Sequence, residues 1–150
     1  MLDLKHEFLM EMHADLRAST MVGATPQGQR VIADVSGGRI EGRVKGELLP
    51  SGADWLLIGS DGCGRIDVRA AARLDDGEVL YMTYNGRLNI PPDVMARVMN
   101  RATAEEVDPS AYYFRTAPLF ETASKRYGWL NQVLAVGVGR VTKTGVAYRV

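Results

Sequence analysis

The sequence predicts an all-β, mainly antiparallel fold: a closed or nearly closed β-barrel with one short α-helix. Three observations lead there. Short runs of β-type residues recur at intervals of about ten residues, each bounded by turn residues. One stretch alone carries a helical apolar stripe. Gly137 and Gly139 fall inside the last strands, where closing a sheet requires sharp bending. The first two features would also suit a sandwich; the glycines favour the barrel.

The first strand is read from alternation. Phe8, Met10, Met12, Ala14 and Leu16 occupy even positions, and Lys5, Glu7, Glu11, His13, Asp15 and Arg17 occupy odd ones. Such alternation buries one face of a strand, although Met, Glu, Leu and Ala by themselves favour helix. Residues 18–30, with Gly, Pro and Ser, are expected to form a loop. Strands are expected over 31–35, 39–49 and 54–58, with turns at Gly37-Gly38, Pro50-Ser51-Gly52 and Ser60-Asp61-Gly62. A strand over 65–74 turns through Asp75-Asp76-Gly77 into another over 78–84.

Pro91 and Pro92 suit a first helical turn, Asp93 complements its dipole, and Val94, Met95, Val98, Met99 and Ala102 form one stripe. The stripe reads as a core plug more readily than as a partner surface. Segments 132–141 and 146–150 are expected to pair around Lys143-Thr144-Gly145 as a closing hairpin.

Length and composition suit one domain over residues 1–150 with an ordinary core. Net charge is +0, so the basic face that nucleic acid or a polybasic membrane contact requires is not expected. Apolar runs stay short of a membrane span, and the charged N-terminal segment does not read as a signal peptide. Cys63 is the single cysteine, which leaves no intrachain disulfide and makes a cytoplasmic location the expectation. In DGCG it reads as a small half-buried residue rather than a nucleophile. His6 and His13 have no companions at ligand spacing, so no metal is expected. Nor does any Gly-x-Ser-x-Gly or phosphate-loop pattern occur.

The segment YYFRTAPLFETASKRYGWLN (112–131) sets Arg115, Thr116, Glu121 and Asn131 among Tyr112, Tyr113, Phe114, Phe120, Tyr127 and Trp129. Rings with a few convergent polar groups line small-molecule pockets. A core built for stability alone avoids Arg and Asn, which must be paired when buried. The segment therefore lines a cavity or lies in an interface.

IDVRAAARLDDGEVLYMTYNG (66–86), YYFRTAPLFET (112–122) and RYGWLN (126–131) resemble the uncharacterised family known as domain of unknown function 3237. GGRIEGRVKGELLPSGADWLLIGSDG (37–62) is similar to its first half. The resemblance implies an antiparallel β-barrel with one helix, commonly oligomeric, and carries over no agreed catalytic residues. The matching motif positions are Asp67, Arg69, Tyr84, Arg115, Thr116, Trp129 and Asn131. Gly128, where a larger residue is usual, and the Met-rich strand before Tyr84 are departures that would reshape a cavity.

The strand over 65–74 poses the sharpest question. Arg65, Asp67, Arg69 and Arg73 share one face; Ile66, Val68, Ala70, Ala72 and Leu74 share the other. Either the charges face water around a dry barrel, or Asp67 and Arg69 turn inward and compensate each other. An uncompensated buried ion costs several kcal/mol against a domain stability of about 5–15 kcal/mol. If inward, Asp67 is a candidate general base. Arg69 and Arg115 would hold a carboxylate, phenolate or enolate, and Tyr84, Trp129 and Asn131 would orient a ring system. Tyr84 and Trp129 suit core packing equally well, and Asn131 suits a loop cap.

Three functions stay open. One is a cofactor-free isomerase, cyclase or lyase/hydratase acting on an aromatic or polyketide-like carbonyl compound. Another is a carrier barrel for a small hydrophobic or aromatic ligand, with an anionic group in one variant. The third is a structural homo-oligomer with a filled barrel.

Overall fold

In the computed structural model, which describes residues 3–150, nine strands form one antiparallel sheet. They are β1 (Met10–Leu16), β2 (Thr20–Thr25), β3 (Gly28–Gly42), β4 (Gly46–Ile58), β5 (Gly64–Leu74), β6 (Val79–Asn89), β7 (Tyr113–Thr122), β8 (Gly137–Val141) and β9 (Gly145–Arg149). The order β1-β9-β8-β7-β6-β5-β4-β3 closes on itself where β1 pairs with β3, and β2 is a flap attached to β3 alone. The expected barrel is therefore present, with a single α-helix, α1 (Pro92–Val98), among the described residues.

The alternation that predicts the first strand holds: Met10, Met12 and Ala14 are buried in β1. Strand β5 behaves likewise, with Ile66, Val68, Ala70, Ala72 and Leu74 turned in. Turns form at Asp61-Gly62 and at Asp76-Gly77, as expected.

Other glycines do something different from what was expected. Gly37-Gly38 is not a turn, because β3 runs straight through it; the chain reverses later, at Arg43–Lys45. Pro50-Ser51-Gly52 likewise lies inside β4, where the register with β5 shifts. Positive φ angles at Gly37 (154°), Gly38 (140°) and Gly52 (90°) let long strands coil around the barrel without breaking. Gly137 and Gly139 have a third role. A Cβ at Gly139 would lie 2.6 Å from the Phe114 ring, and one at Gly137 would lie 2.5 Å from Thr116 Oγ1. They make room for side chains of β7. The presumed loop 18–30 is mostly the β2–β3 hairpin, its turn at Pro26-Gln27. Residues 132–136 stay outside β8.

The helix is shorter than its apolar stripe. Val98 is buried, but Met95 and Met99 remain exposed, so α1 closes only one side of its end of the barrel.

The barrel is filled unevenly along its axis. Met10, Ile40, Val44, Leu48, Leu80 and Met82 pack one half solidly. Segment 123–132 plugs that end: the Tyr127 hydroxyl donates to Asp75 Oδ1 at 2.7 Å, and Ser124 Oγ donates to Asp76 Oδ2 at 2.5 Å. At the other end, β3 changes partner from β1 to β2, and the interior is hollow.

Candidate functional site: a hollow half-barrel with one carboxylate

The hollow is about 300 Å³, at the small end of ligand pockets. Its wall is mostly aliphatic: Val31, Val35, Leu56, Ile66, Val68 and Leu88 contribute. Six polar side chains interrupt that wall: Ser19, Arg101, Thr142, and the trio Asp54, Tyr84 and Tyr148. Strand register explains how two of them meet. Ala33 pairs with Asp54, Asp54 with Val68 and Val68 with Tyr84, so these residues form one inward row across β3 to β6. Tyr148 arrives from β9, its ring edge-on to Tyr84 at 5.5 Å and to Phe114 at 5.3 Å.

A local irregularity anchors the carboxylate. The β4–β5 ladder lapses at Trp55 and Leu56. The Asp67 N–H donates instead to Asp54 Oδ1 at 3.1 Å, and Arg30 Nη1 donates to the Trp55 carbonyl at 2.7 Å. Side chains thus satisfy backbone groups that the lapse sets free. Burial pushes the Asp54 carboxyl up to about 6, against the opposing pull of the Asp67 N–H; the Asp67 charge adds to the rise and Arg30 works against it. Burial also raises Tyr84 and Tyr148, which therefore stay protonated, and the Asp54 charge adds to both rises. The site sets a carboxyl raised to about 6 beside two neutral phenols.

Most of the residues expected at the site lie elsewhere. Asp67 and Arg69 do compensate each other, 4.0 Å apart, but on the outer face with about half of each side chain exposed. The aliphatic face of β5 takes the interior because burying it needs no counter-charge. Asp67 reaches the site only through its backbone N–H. Arg69 lies over the Trp55 ring, and Arg115, also outward, lies over Tyr113 at 4.9 Å. Thr116 points inward but is buried beside Gly86 and Gly137, away from the cavity lining. Trp129 belongs to the plug, under Arg43 at 5.0 Å. Asn131 is a loop cap: its Oδ1 accepts from Thr122 N, and its amide donates to the Thr122 and Gly128 carbonyls. Tyr84 is the one expected residue that lines the hollow. From the aromatic segment, Phe114 joins it.

Asp67→Asn is accordingly expected to change stability by no more than about 0.5 kcal/mol. It should move the Asp54 titration downward, because one nearby negative charge is gone. Carbon-detected NMR of the Asp54 carboxyl in parent and variant checks the titration and urea unfolding checks the stability; an upward shift or a large destabilisation would contradict this placement.

Asp54 and Tyr148 were missed for identifiable reasons. Asp54 heads WLLI, which is apolar on both strand faces, so period-two alternation could not say where it points. The available signal was a lone carboxylate opening an apolar run. Tyr148 shares its strand face with Val146 and Val150, a pattern that marks it as inward but not as polar-functional.

These features define a class: a closed antiparallel β-barrel, solid at one end and hollow at the other around a half-buried carboxylate. The chain belongs to the family described as "Protein of unknown function (DUF3237)", whose pattern it matches over residues 4–150. A UPF0311 protein of Clostridium acetobutylicum is 38% identical over 104 residues, covering 69% of this chain and 64% of that protein, just under two thirds of its length. A solved structure of a conserved protein of unknown function from Rhodopseudomonas palustris superposes with a TM-score of 0.90 at 30% identity, covering 99% of this chain and 97% of that one. A structure described as an enzyme from Penicillium herquei gives 0.66 at 21% identity over 95% and 91% of the two chains, a likeness of fold. Among the described residues no helix is long and apolar enough to cross a membrane.

Proposed function

We propose that the hollow end binds a small, largely apolar carbonyl compound and that Asp54 moves a proton at the carbon beside its carbonyl group. The observation that carries this reading is the pairing of a carboxylate raised to about 6 with two protonated phenols inside an aliphatic wall. A general base works best when its affinity for protons is matched to ambient pH. In the step proposed, Asp54 takes the proton, the C–H bond electrons form a carbon–carbon double bond as the carbonyl π electrons move to oxygen, and Tyr84 or Tyr148 donates a hydrogen bond to the resulting enolate. Protonated Asp54 then returns the proton to the same carbon or to a conjugated one. Exchange, isomerisation and cyclisation all begin with this step. The general base assigned by sequence to Asp67 thus passes to Asp54 in this reading.

A non-catalytic carrier is the second reading, favoured by the mostly aliphatic lining. One experiment separates the two. β-Tetralone is incubated with the protein in heavy water, and loss of its α-hydrogen signal is followed by NMR. Exchange above the buffer rate supports catalysis. Binding of the neutral fluorophore phenylnaphthylamine without any exchange supports the carrier.

Val68→Trp tests whether the hollow is the place. Val68 lies in the row between Asp54 and Tyr84, and an indole there would occupy the space a ligand needs. Fluorophore affinity is expected to fall by more than about tenfold while the fold persists, since the added atoms enter a void. Undiminished binding would place the ligand elsewhere.

A further inference from the structure

We infer that Arg101 selects ligands bearing a single anionic group, held at the mouth of the barrel while their apolar carbonyl end lies inside. This rests on the cavity reading above and names the ligand class within it.

Two charged residues line the hollow, Asp54 within and Arg101 at the rim. Between them the wall is apolar, with Met21 of the β2 flap and Met99 beyond α1 flanking the opening. Arg101 is held in place from the end of β1. Its Nη2 donates to the carbonyls of Leu16 at 3.1 Å and Arg17 at 3.3 Å, where β1 ends. Its Nε and Nη1 have no hydrogen-bond partner, and no carboxylate lies within ion-pair distance, among the described residues. A guanidinium positioned in this way keeps its charge and the donors on Nε and Nη1 for an incoming oxyanion, and its anchored plane loses little freedom on binding.

Charge also sets the orientation. Ionised Asp54 repels an anion from the interior, whereas Arg101 attracts it to the rim. The ligand therefore enters with its neutral end first, which delivers a carbonyl group to Tyr84 and Tyr148. An aromatic or alicyclic keto acid fits this polarity; a neutral ketone lacks the outer contact, and a dianion would place charge against Asp54.

The test compares two fluorophores with the same aromatic body, anilinonaphthalene sulfonate and neutral phenylnaphthylamine. Only the signal lost in Val68→Trp is counted, so that surface binding is excluded. Arg101→Gln is expected to weaken the sulfonate by about tenfold and the neutral probe by less than about twofold. Arg101→Lys should recover part of the sulfonate affinity, which a merely structural role would not predict. Equal loss of both probes would assign Arg101 to holding the mouth together and overturn the inference, as would no loss of either. If the wild-type protein binds neither probe in the hollow, the cavity reading fails and this inference fails with it. Neutral binding with no preference for the sulfonate sinks the inference alone.

Discussion

Asp54→Asn is expected to lower α-hydrogen exchange of β-tetralone by about 10²–10⁴-fold, the span typical for loss of a positioned general base. At about pH 8 it should also make the protein more stable than the parent. The second effect follows from the first residue's environment. Burial raises its carboxyl from 3.8 to about 6, so the folded state holds the proton more tightly than the unfolded chain does. Stability associated with the protonated form is fully present below 3.8 and is lost as pH climbs from there through about 6; above that the loss is constant. Two pH units correspond to about 3 kcal/mol, and access of water from the cavity reduces this to roughly 2 kcal/mol. Asparagine keeps an oxygen for the Asp67 N–H and carries no charge, so it escapes the penalty. Urea unfolding near pH 8 should show the advantage; near pH 4 the two proteins should be almost equal. An identical advantage at both values would mean that the carboxylate is not strained. Unchanged exchange with the expected stability gain would remove Asp54 from catalysis while leaving its electrostatics intact.

Gly38→Ala should cost about 3–5 kcal/mol, a large share of a stability of about 5–15 kcal/mol. Gly38 lies in the seam that closes the barrel, opposite Ala14 of β1, with φ at 140°. An added Cβ would overlap the His13 carbonyl oxygen and stand 2.9 Å from Leu48 Cδ1. The carbonyl has nowhere to retreat, because β1 is paired on its other side to β9, His13 opposite Ala147. Gly62→Ala is the control. Its φ is also positive, at 76°, yet nothing lies within 4 Å of an added Cβ, so only the conformational term of about 1 kcal/mol applies. Denaturant midpoints compare the two directly. Similar losses would show that backbone conformation, not the crowded seam, sets the cost.

How much of this was legible depended on which residues carried an unambiguous period. Strands β1 and β5 alternate cleanly, so their existence followed from period-two patterning, whereas β7, with Leu119 exposed and Thr116 buried, was read only as an aromatic segment. The glycines signalled bending, yet a one-dimensional pattern cannot separate a chain that reverses at Gly37-Gly38 from one that coils onward, because both need positive φ. The candidate site was less accessible for the same kind of reason. Asp67 and Arg69 drew attention as paired charges, and the pair did form, but solvation favoured the outside. Asp54 owes its character to strands β3, β5 and β6 standing beside it, and neither register nor the lapse at Trp55 is written in any local motif. Tyr84 was legible as a ring facing inward; its phenolic proton became chemically significant only once Asp54 and Tyr148 joined it.

The unequal filling of the barrel separates two kinds of selective pressure. Cohesion is concentrated around Met10, Ile40, Leu80 and Met82, and Asp54, Tyr84 and Tyr148 occupy the opposite half. Substitutions around the opening can therefore retune recognition while the scaffold continues to assemble from its distant base. A laboratory evolution campaign confined to the open end would vary the lining of the hollow at little risk to folding, whereas the same mutational load at the plugged end would mostly yield insoluble chains.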